Sequence, residues 1–149
     1  MILNIKNAAR SQIPEITDIF DAYSLENIYN NEYFDECIAH SLLTAVIVCD
    51  KTVRGVCICN TSQIPDSCEI ELLYISNDYK NKGFGRKLLS YALREMRAKR
   101  YKKAFLWVNE ANKEAIDFFC KFGFLTDNKQ RRDKFSNVES YQRRYRIDI

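Results

Sequence analysis

The chain has 149 residues, 46% hydrophobic and 29% charged, with a formal net charge of +3. That length suits one domain over residues 1–149 with a single sizeable core, and no repeat or low-complexity linker divides it. No apolar run is long enough to cross a bilayer and Met1-Ile-Leu-Asn-Ile-Lys6 lacks a signal-peptide pattern, so a cytoplasmic protein without a membrane partner is expected.

Hydrophobic periodicity predicts the elements in chain order. Leu3-Asn-Ile5 reads as a first strand. Ile13-Pro14 opens a helix with Ile16, Ile19, Phe20 and Tyr23 on one face, and Pro14 sits where its missing N–H costs little. Asn31 to His40 predicts a second helix with a short apolar stripe. Ala45 to Cys49, a turn over Asp50-Lys-Thr-Val53, and Gly55 to Cys59 predict a hairpin. Ile70 to Ile75 is the next strand. Beyond a glycine-containing turn, Leu88, Leu89, Ala92, Leu93 and Met96 form a core-facing helix stripe. Ala104 to Val108 reads as a strand and Lys113 to Lys121 as a helix, closed by Gly123 in a left-handed C-cap position. Strands around Phe124-Leu125 and Tyr141 to Ile147 complete an α/β or α+β sheet with helices on its faces.

Six cysteines (37, 49, 57, 59, 68 and 120) form no Cys-x-x-Cys pair, and the one histidine, His40, lies outside any ligand pattern. No metal is expected, and Cys49, Cys57 and Cys59 read as buried thiols in strands. Charge is unevenly spread. Residues 1–79 hold four Lys/Arg against twelve Asp/Glu, and residues 80–149 hold nineteen against eight, giving −8 and +11. Either a solvated surface or two oppositely charged ligands would account for that. Arg131-Arg132 and Arg143-Arg144-Tyr-Arg146 are basic enough for RNA, but no RNA-binding motif accompanies them, so no nucleic acid is expected.

The most informative stretch runs from Glu69-Ile-Glu-Leu-Leu-Tyr-Ile75 through Lys80-Asn-Lys-Gly-Phe-Gly85 to Arg86-Lys-Leu-Leu89. A strand, a turn with two glycines and a helix put free backbone N–H groups at a helix N-terminus, which favours an anion. Gly83 and Gly85 let backbone approach a bulky anion, and Lys80, Lys82, Arg86 and Lys87 add positive charge. Leu88 stands where the dinucleotide fingerprint needs a third glycine, and no P-loop is present.

Lys80-x-x-Gly83-x-Gly85 resembles the acyl-CoA pyrophosphate loop of the GNAT superfamily of N-acetyltransferases, whose pattern is Gln/Arg-x-x-Gly-x-Gly/Ala. Lys80 departs from it, keeping the charge but not the shape. Leu106-Trp-Val108, Asn112, Ala115, Phe118-Phe119 and Gly123-Phe124 resemble the family's second signature, in its order. The resemblance covers residues 42 to 126 well. It implies a mixed, mostly antiparallel sheet flanked by helices, with acetyl-CoA as co-substrate and a primary amine as acceptor. The basic half would suit the three phosphates of coenzyme A, and the acidic half a cationic acceptor.

Acetyl transfer to an amine needs a base, a polarised carbonyl and a fate for the thiolate. Glu69 and Glu71, two apart on a strand, leave the same face and offer a base acting directly or through water. Glu69 stands fourteen residues before Gly83, the place of the glutamate base in the histone-acetylating branch of the family. The resemblance implies a splay between two central strands that frees the N–H of Leu73 for the carbonyl oxygen, with Tyr74 and Ile75 holding the pantetheine arm. It implies cofactor contacts from Leu73, Tyr74, Ile75, Lys80, Asn81, Lys82, Gly83, Phe84, Gly85, Arg86, Asn112 and Phe119. Asn112 also reads as a helix N-cap. Phe119 occupies the position where many members carry a tyrosine that protonates the thiolate, and phenylalanine donates nothing. Water or Tyr74, Tyr79, Tyr141 or Tyr145 would take that part. Cys120, without a basic partner, reads as no nucleophile, and Trp107 as core.

Tyr23, Tyr29, Tyr33 and Phe34 with Glu26, Glu32, Asp35 and Glu36 are the expected acceptor pocket, so arginine at Glu32 or Glu36 should raise the acceptor KM alone. An acyl-CoA-binding sensor or subunit with weakened catalysis is the alternative, motivated by Phe119 and Lys80. Which amine is used, and whether the protein is a homodimer, stay open.

Overall fold

The computed structural model describes residues 2–20, 28–134 and 138–149. Its centre is a seven-stranded sheet in the order β1-β2-β3-β4-β5-β7-β6. The strands are β1 (Leu3–Asn7), β2 (Leu43–Cys49), β3 (Thr52–Thr61), β4 (Ser67–Ile75), β5 (Lys103–Asn109), β6 (Leu125–Arg132) and β7 (Tyr141–Asp148). Every neighbouring pair is antiparallel except β4 and β5. The sheet is therefore mixed and mostly antiparallel.

Helices α1 (Ile13–Asp18) and α2 (Asn31–His40) cover one face. There Ile16, Phe20 and Phe34 pack on Val46, Val56 and Ile58. Helices α3 (Phe84–Ala98) and α4 (Lys113–Phe122) cover the other, where Leu88, Leu89, Ala92 and Met96 meet Ala45, Ile47, Cys57 and Leu106. The stripe spacing of α3 puts these side chains on one side of the helix, which is why α3 lies flat on the sheet. Asn30 caps α2 by accepting from the Tyr33 N–H at 2.9 Å. Gly123 closes α4 with a φ of 124°.

The structure corrects several expected boundaries. The hairpin turn is tighter than Asp50 to Val53: Thr52 and Val53 already belong to β3, leaving Asp50 and Lys51 as its two central residues. Both have positive φ, 49° and 71°, as a type I′ turn matching the strand twist requires. The first helix ends at Asp18, short of the span expected through Tyr23, which lies outside the described residues. β4 begins at Ser67, three residues before the expected Ile70, because Cys68 pairs with both Thr61 of β3 and Ala104 of β5. Leu125–Arg132 makes a full strand from a segment almost wholly polar, held by pairing to β7 rather than by burial.

Candidate active site

Two irregularities of β4 create the site. β4 pairs with β5 only at Ser67, Cys68 and Glu69, and beyond Glu69 the two parallel strands part. Ladder hydrogen bonds alternate sides along a strand, and Ser76 N–H donates to the Arg54 carbonyl of β3 at 2.7 Å. By that alternation Tyr74 also faces β3, while the N–H groups of Leu73 and Ile75 point into the gap. The second irregularity is a bulge: Cys59 pairs with Ile70 and Ile58 with Leu72, so Glu71 is the extra residue. The bulge reverses the side-chain phase. Cys68, Ile70, Leu73 and Ile75 face α3, whereas Leu72 and Tyr74 face α1 and α2.

The α3 side of the gap opens into a cavity of about 580 Å³. Its rim is the start of α3, where Gly83 is the N-cap with φ 81° and ψ 6°. A Cβ on Gly83 would meet nothing within 4 Å, so the left-handed backbone selects glycine there, not crowding. Gly85 is a different case. Its Cβ would lie 3.4 Å from the Phe118 ring, an ordinary contact that an alanine could make, and its φ is not positive, so Gly85 brings α3 near α4 without being demanded by strain or crowding. The first-turn N–H groups of α3 have no carbonyl of their own helix to bond, and Lys80, Asn81 and Arg86 flank them on the cavity wall. The loop, its open glycine and its cations thus fit a pyrophosphate. Two expected contacts differ: the Phe84 side chain is buried in the core against Tyr79, leaving only its backbone at the rim, and Lys82 is exposed outside the cavity lining.

On the other side of the sheet lies a second cavity, about 540 Å³, reaching α2, β4, β5 and β6. The two cavities share Leu73, Asn112, Ala115 and Phe119, so they meet at the gap. Both Glu69 and Glu71 line the second cavity. Glu69 is half-buried, and its carboxylate has no hydrogen bond among the described residues. Glu71 accepts from the Tyr33 hydroxyl at 2.6 Å. Burial first, and then this bond to a carboxylate, push the Tyr33 phenol well above its usual range. Tyr29 is raised the same way, by burial and then by the charge of Glu71.

Asn112 lies between the cavities and caps α4, accepting from the Ala115 N–H at 3.1 Å, so its two expected parts are compatible. Phe119 also lines both cavities, its ring against Phe118 and Phe124. Of the tyrosines expected to replace it, Tyr74 and Tyr79 line the first cavity, while Tyr141 and Tyr145 line neither.

The expected acceptor residues divide. Tyr29 and Tyr33 line the second cavity, whereas Phe34 is fully buried core. Asp35 pairs with Arg10 and Glu36 faces His40 at 3.6 Å, and neither they nor Glu32 line it. Tyr23 and Glu26 lie outside the described residues. Trp107, expected as core, is instead a half-buried wall of this cavity, with the Arg131 guanidinium 4.3 Å above its ring. Arg131 was legible only as part of a basic run, since nothing local links it to a tryptophan twenty-four residues earlier.

An N-terminal anion cradle, a parted parallel pair and a carboxylate-lined cavity across the gap agree with what comparison with known proteins finds. The profile of the acetyltransferase (GNAT) family matches residues 10–124. The chain belongs to this family. It is thus an acyltransferase, and the family's activity is acetyl-CoA-dependent acetyl transfer. The fold agrees with solved GNAT structures. Ard1 from Thermoplasma volcanium superposes with a TM-score of 0.86 at 19% identity, covering 100% of this chain and 99% of that one. The PaiA N-acetyltransferase of Thermoplasma acidophilum, solved with coenzyme A, gives 0.80 at 16% identity and complete coverage, 100%, of both chains. The ribosomal-protein-S18-alanine N-acetyltransferase of Escherichia coli gives 0.80 at 17% identity, covering 99% and 94%.

Proposed function

We propose that this GNAT acetyltransferase moves an acetyl group from acetyl-CoA directly to a primary amine in a ternary complex, within one domain. The observation that carries the reading is the meeting of two chemically different cavities at Leu73, Asn112, Ala115 and Phe119. One has a cationic rim suited to pyrophosphate, and the other a carboxylate wall suited to an ammonium. A thioester reaching the gap from the first and an amine reaching it from the second would meet without a covalent enzyme intermediate. The PaiA structure with coenzyme A adds support for the ligand of the first cavity.

In this reading Glu69 takes the proton from the bound ammonium, directly or through water, because its carboxylate is uncommitted. Glu71, bonded to Tyr33, holds the ammonium by charge. The Leu73 N–H, aimed into the gap, donates to the carbonyl oxygen as negative charge develops there. Tyr74 and Ile75 supply strand backbone for the pantetheine arm, and Lys80, Asn81, Gly83, the Phe84 N–H, Gly85 and Arg86 supply the anion cradle, with Lys82 adding charge from outside the cavity. The amine nitrogen bonds to the carbonyl carbon and sheds its second proton to water, the carbon–sulfur bond breaks, and the thiolate leaves to be protonated by water, since Phe119 has no proton to give.

The test is thiol release from acetyl-CoA over a panel of amines and peptides, with Glu69→Gln and Glu71→Gln alongside. Glu69→Gln should lower kcat on the order of a hundredfold or more, with the acetyl-CoA KM held. Glu71→Gln should act chiefly on the acceptor KM. Tight acetyl-CoA binding without turnover on any acceptor would favour the sensor alternative.

A further inference from the structure

The charged walls of the second cavity are not of one sign. Glu69 and Glu71 stand at the β4 end, and Arg131 of β6 is brought to the far side over Trp107. We propose that the acceptor carries a carboxylate as well as its amine, and that Arg131, laid on Trp107, binds that carboxylate. This rests on the second cavity being the acceptor site.

Arg131 differs from Arg143 and Arg144 of the neighbouring strand β7. Arg143 is neutralised by Glu110 at 3.0 Å, and Arg144 by Asp127 at 2.6 Å. Arg131 has no ion pair among the described residues, and Asp133, the nearest acid in the chain and just beyond β6, receives the Asn109 amide at 2.6 Å. What Arg131 has is orientation. Its Nε donates to Gln142 Oε1 at 2.6 Å, across the β6–β7 pair that joins these residues, and its Cζ lies 4.3 Å over the indole. Stacking and the Nε bond hold the guanidinium while leaving its terminal N–H groups for a bidentate partner, the arrangement that matches a carboxylate. Glu69 pairs with Phe105, and Trp107 lies two residues further along the same face of β5. From strand geometry the two backbone positions are roughly 8 Å apart. With both side chains reaching inward over that separation, an amino acid would set its amine toward Glu69 and its carboxylate toward Arg131. A diamine would instead set its second cation against a guanidinium, so the cationic acceptor expected from sequence narrows to a zwitterionic one.

Trp107 is the single tryptophan of the chain, so its fluorescence reports ligands at Arg131 whether or not turnover occurs. The probes are matched pairs: 4-aminobutyrate against butylamine, lysine against 1,5-diaminopentane, and a glutamyl tripeptide amide against its glutaminyl counterpart. In each productive pair the carboxylate form should saturate the signal at a concentration at least about tenfold lower, a preference worth about 1.4 kcal/mol. Response to the first two pairs identifies a free amino acid, and response to the third alone an acidic peptide terminus. Arg131→Gln should abolish the preference, Arg131→Lys should keep part of it, and acetyl-CoA binding should stay unchanged in both. Equal or stronger binding of the decarboxylated partners, or no response to any probe, overturns the proposal. Discrimination without thiol release in the wild type would sink the transfer reading and the acceptor role with it, leaving only carboxylate binding by Arg131.

Discussion

Tyr33 ties the carboxylate wall to the aromatic core. Its hydroxyl holds Glu71 at 2.6 Å, and its ring meets Phe34 edge-on at 5.1 Å. Burial, and then the Glu71 bond, raise its pKa, so the folded protein keeps a phenolic proton that an unfolded tyrosine releases at about 10. The folded state then binds more protons, and stability must fall as pH rises above that point. Below it the contribution is fully present. Tyr33→Phe should therefore cost stability in urea melts at pH 8, and the gap to the wild type should narrow by pH 10.5. A gap of constant size would mean that the phenol does not titrate with folding. Phe119 poses the complementary question, because it sits where the cavities meet and offers no proton.

Two features of the β2–β3 hairpin make opposite predictions. Lys51 holds a φ of 71°, which costs a residue with a Cβ about 1 kcal/mol, so Lys51→Gly should stabilise by a comparable free energy, read as a higher urea midpoint. Gly55 is the reverse case. A Cβ there would lie 2.5 Å from Ile75 Cδ1 and 3.0 Å from the Tyr74 carbonyl oxygen, and the latter is backbone of β4. Gly55→Ala should destabilise by about 1–3 kcal/mol and lower the midpoint at unchanged slope. Because the strain falls on Tyr74 and Ile75, beside the gap, acetyl-CoA affinity should fall too. Isothermal titration checks that coupling, and unchanged affinity would show that β4 absorbs the strain elsewhere.

The lopsided charge of the chain survives folding, because the ion pairs among the described residues form within each half, but part of the basic run is paired. Arg143 and Arg144 meet Glu110 and Asp127, which come from other segments of the same basic half, and hydrogen bonds from Gln130 and then Arg143 hold Glu110 below its usual range. For Asp127 burial pulls upward, but the Arg144 bond and the Lys129 N–H outweigh it and the net shift is downward. Depressed carboxylates add stability above their unfolded pKa, near 4, and lose it as pH falls, so this end of the sheet should loosen first in acid. The basic run is thus partly structural, which weakens the case for RNA. The thiols also follow the fold. Cys37, Cys49, Cys57, Cys59 and Cys68 are buried and Cys120 is exposed, all unpaired. Burial pushes Cys37 up to about 11 and Cys68 up to about 12. A thiol reagent should titrate one fast group in the native protein and six after denaturation. More than one fast group would mean that a strand bearing cysteine opens readily.

Much of this molecule was written locally. Stripe spacing placed α3 and α4, Asn30 and Asn112 have the chemistry of caps, and Lys80-x-x-Gly83-x-Gly85 announced an anion cradle from its glycines and cations alone. Such features depend on residues a few positions apart, so the chain order carries them. The gap beside β4 does not. It exists because β4 leaves β5 after Glu69, because Glu71 is bulged out against β3, and because β7 inserts between β5 and β6. Strict alternation would have put Leu73 on the face of Glu69, and the bulge sends Leu72 and Tyr74 there instead. Arg131 reaches Trp107 only across two strand pairings. Strand pairing joins segments remote in the chain, and its energy lies in contacts that no local window contains. The parts of this site could therefore be read in order, but their meeting place could not.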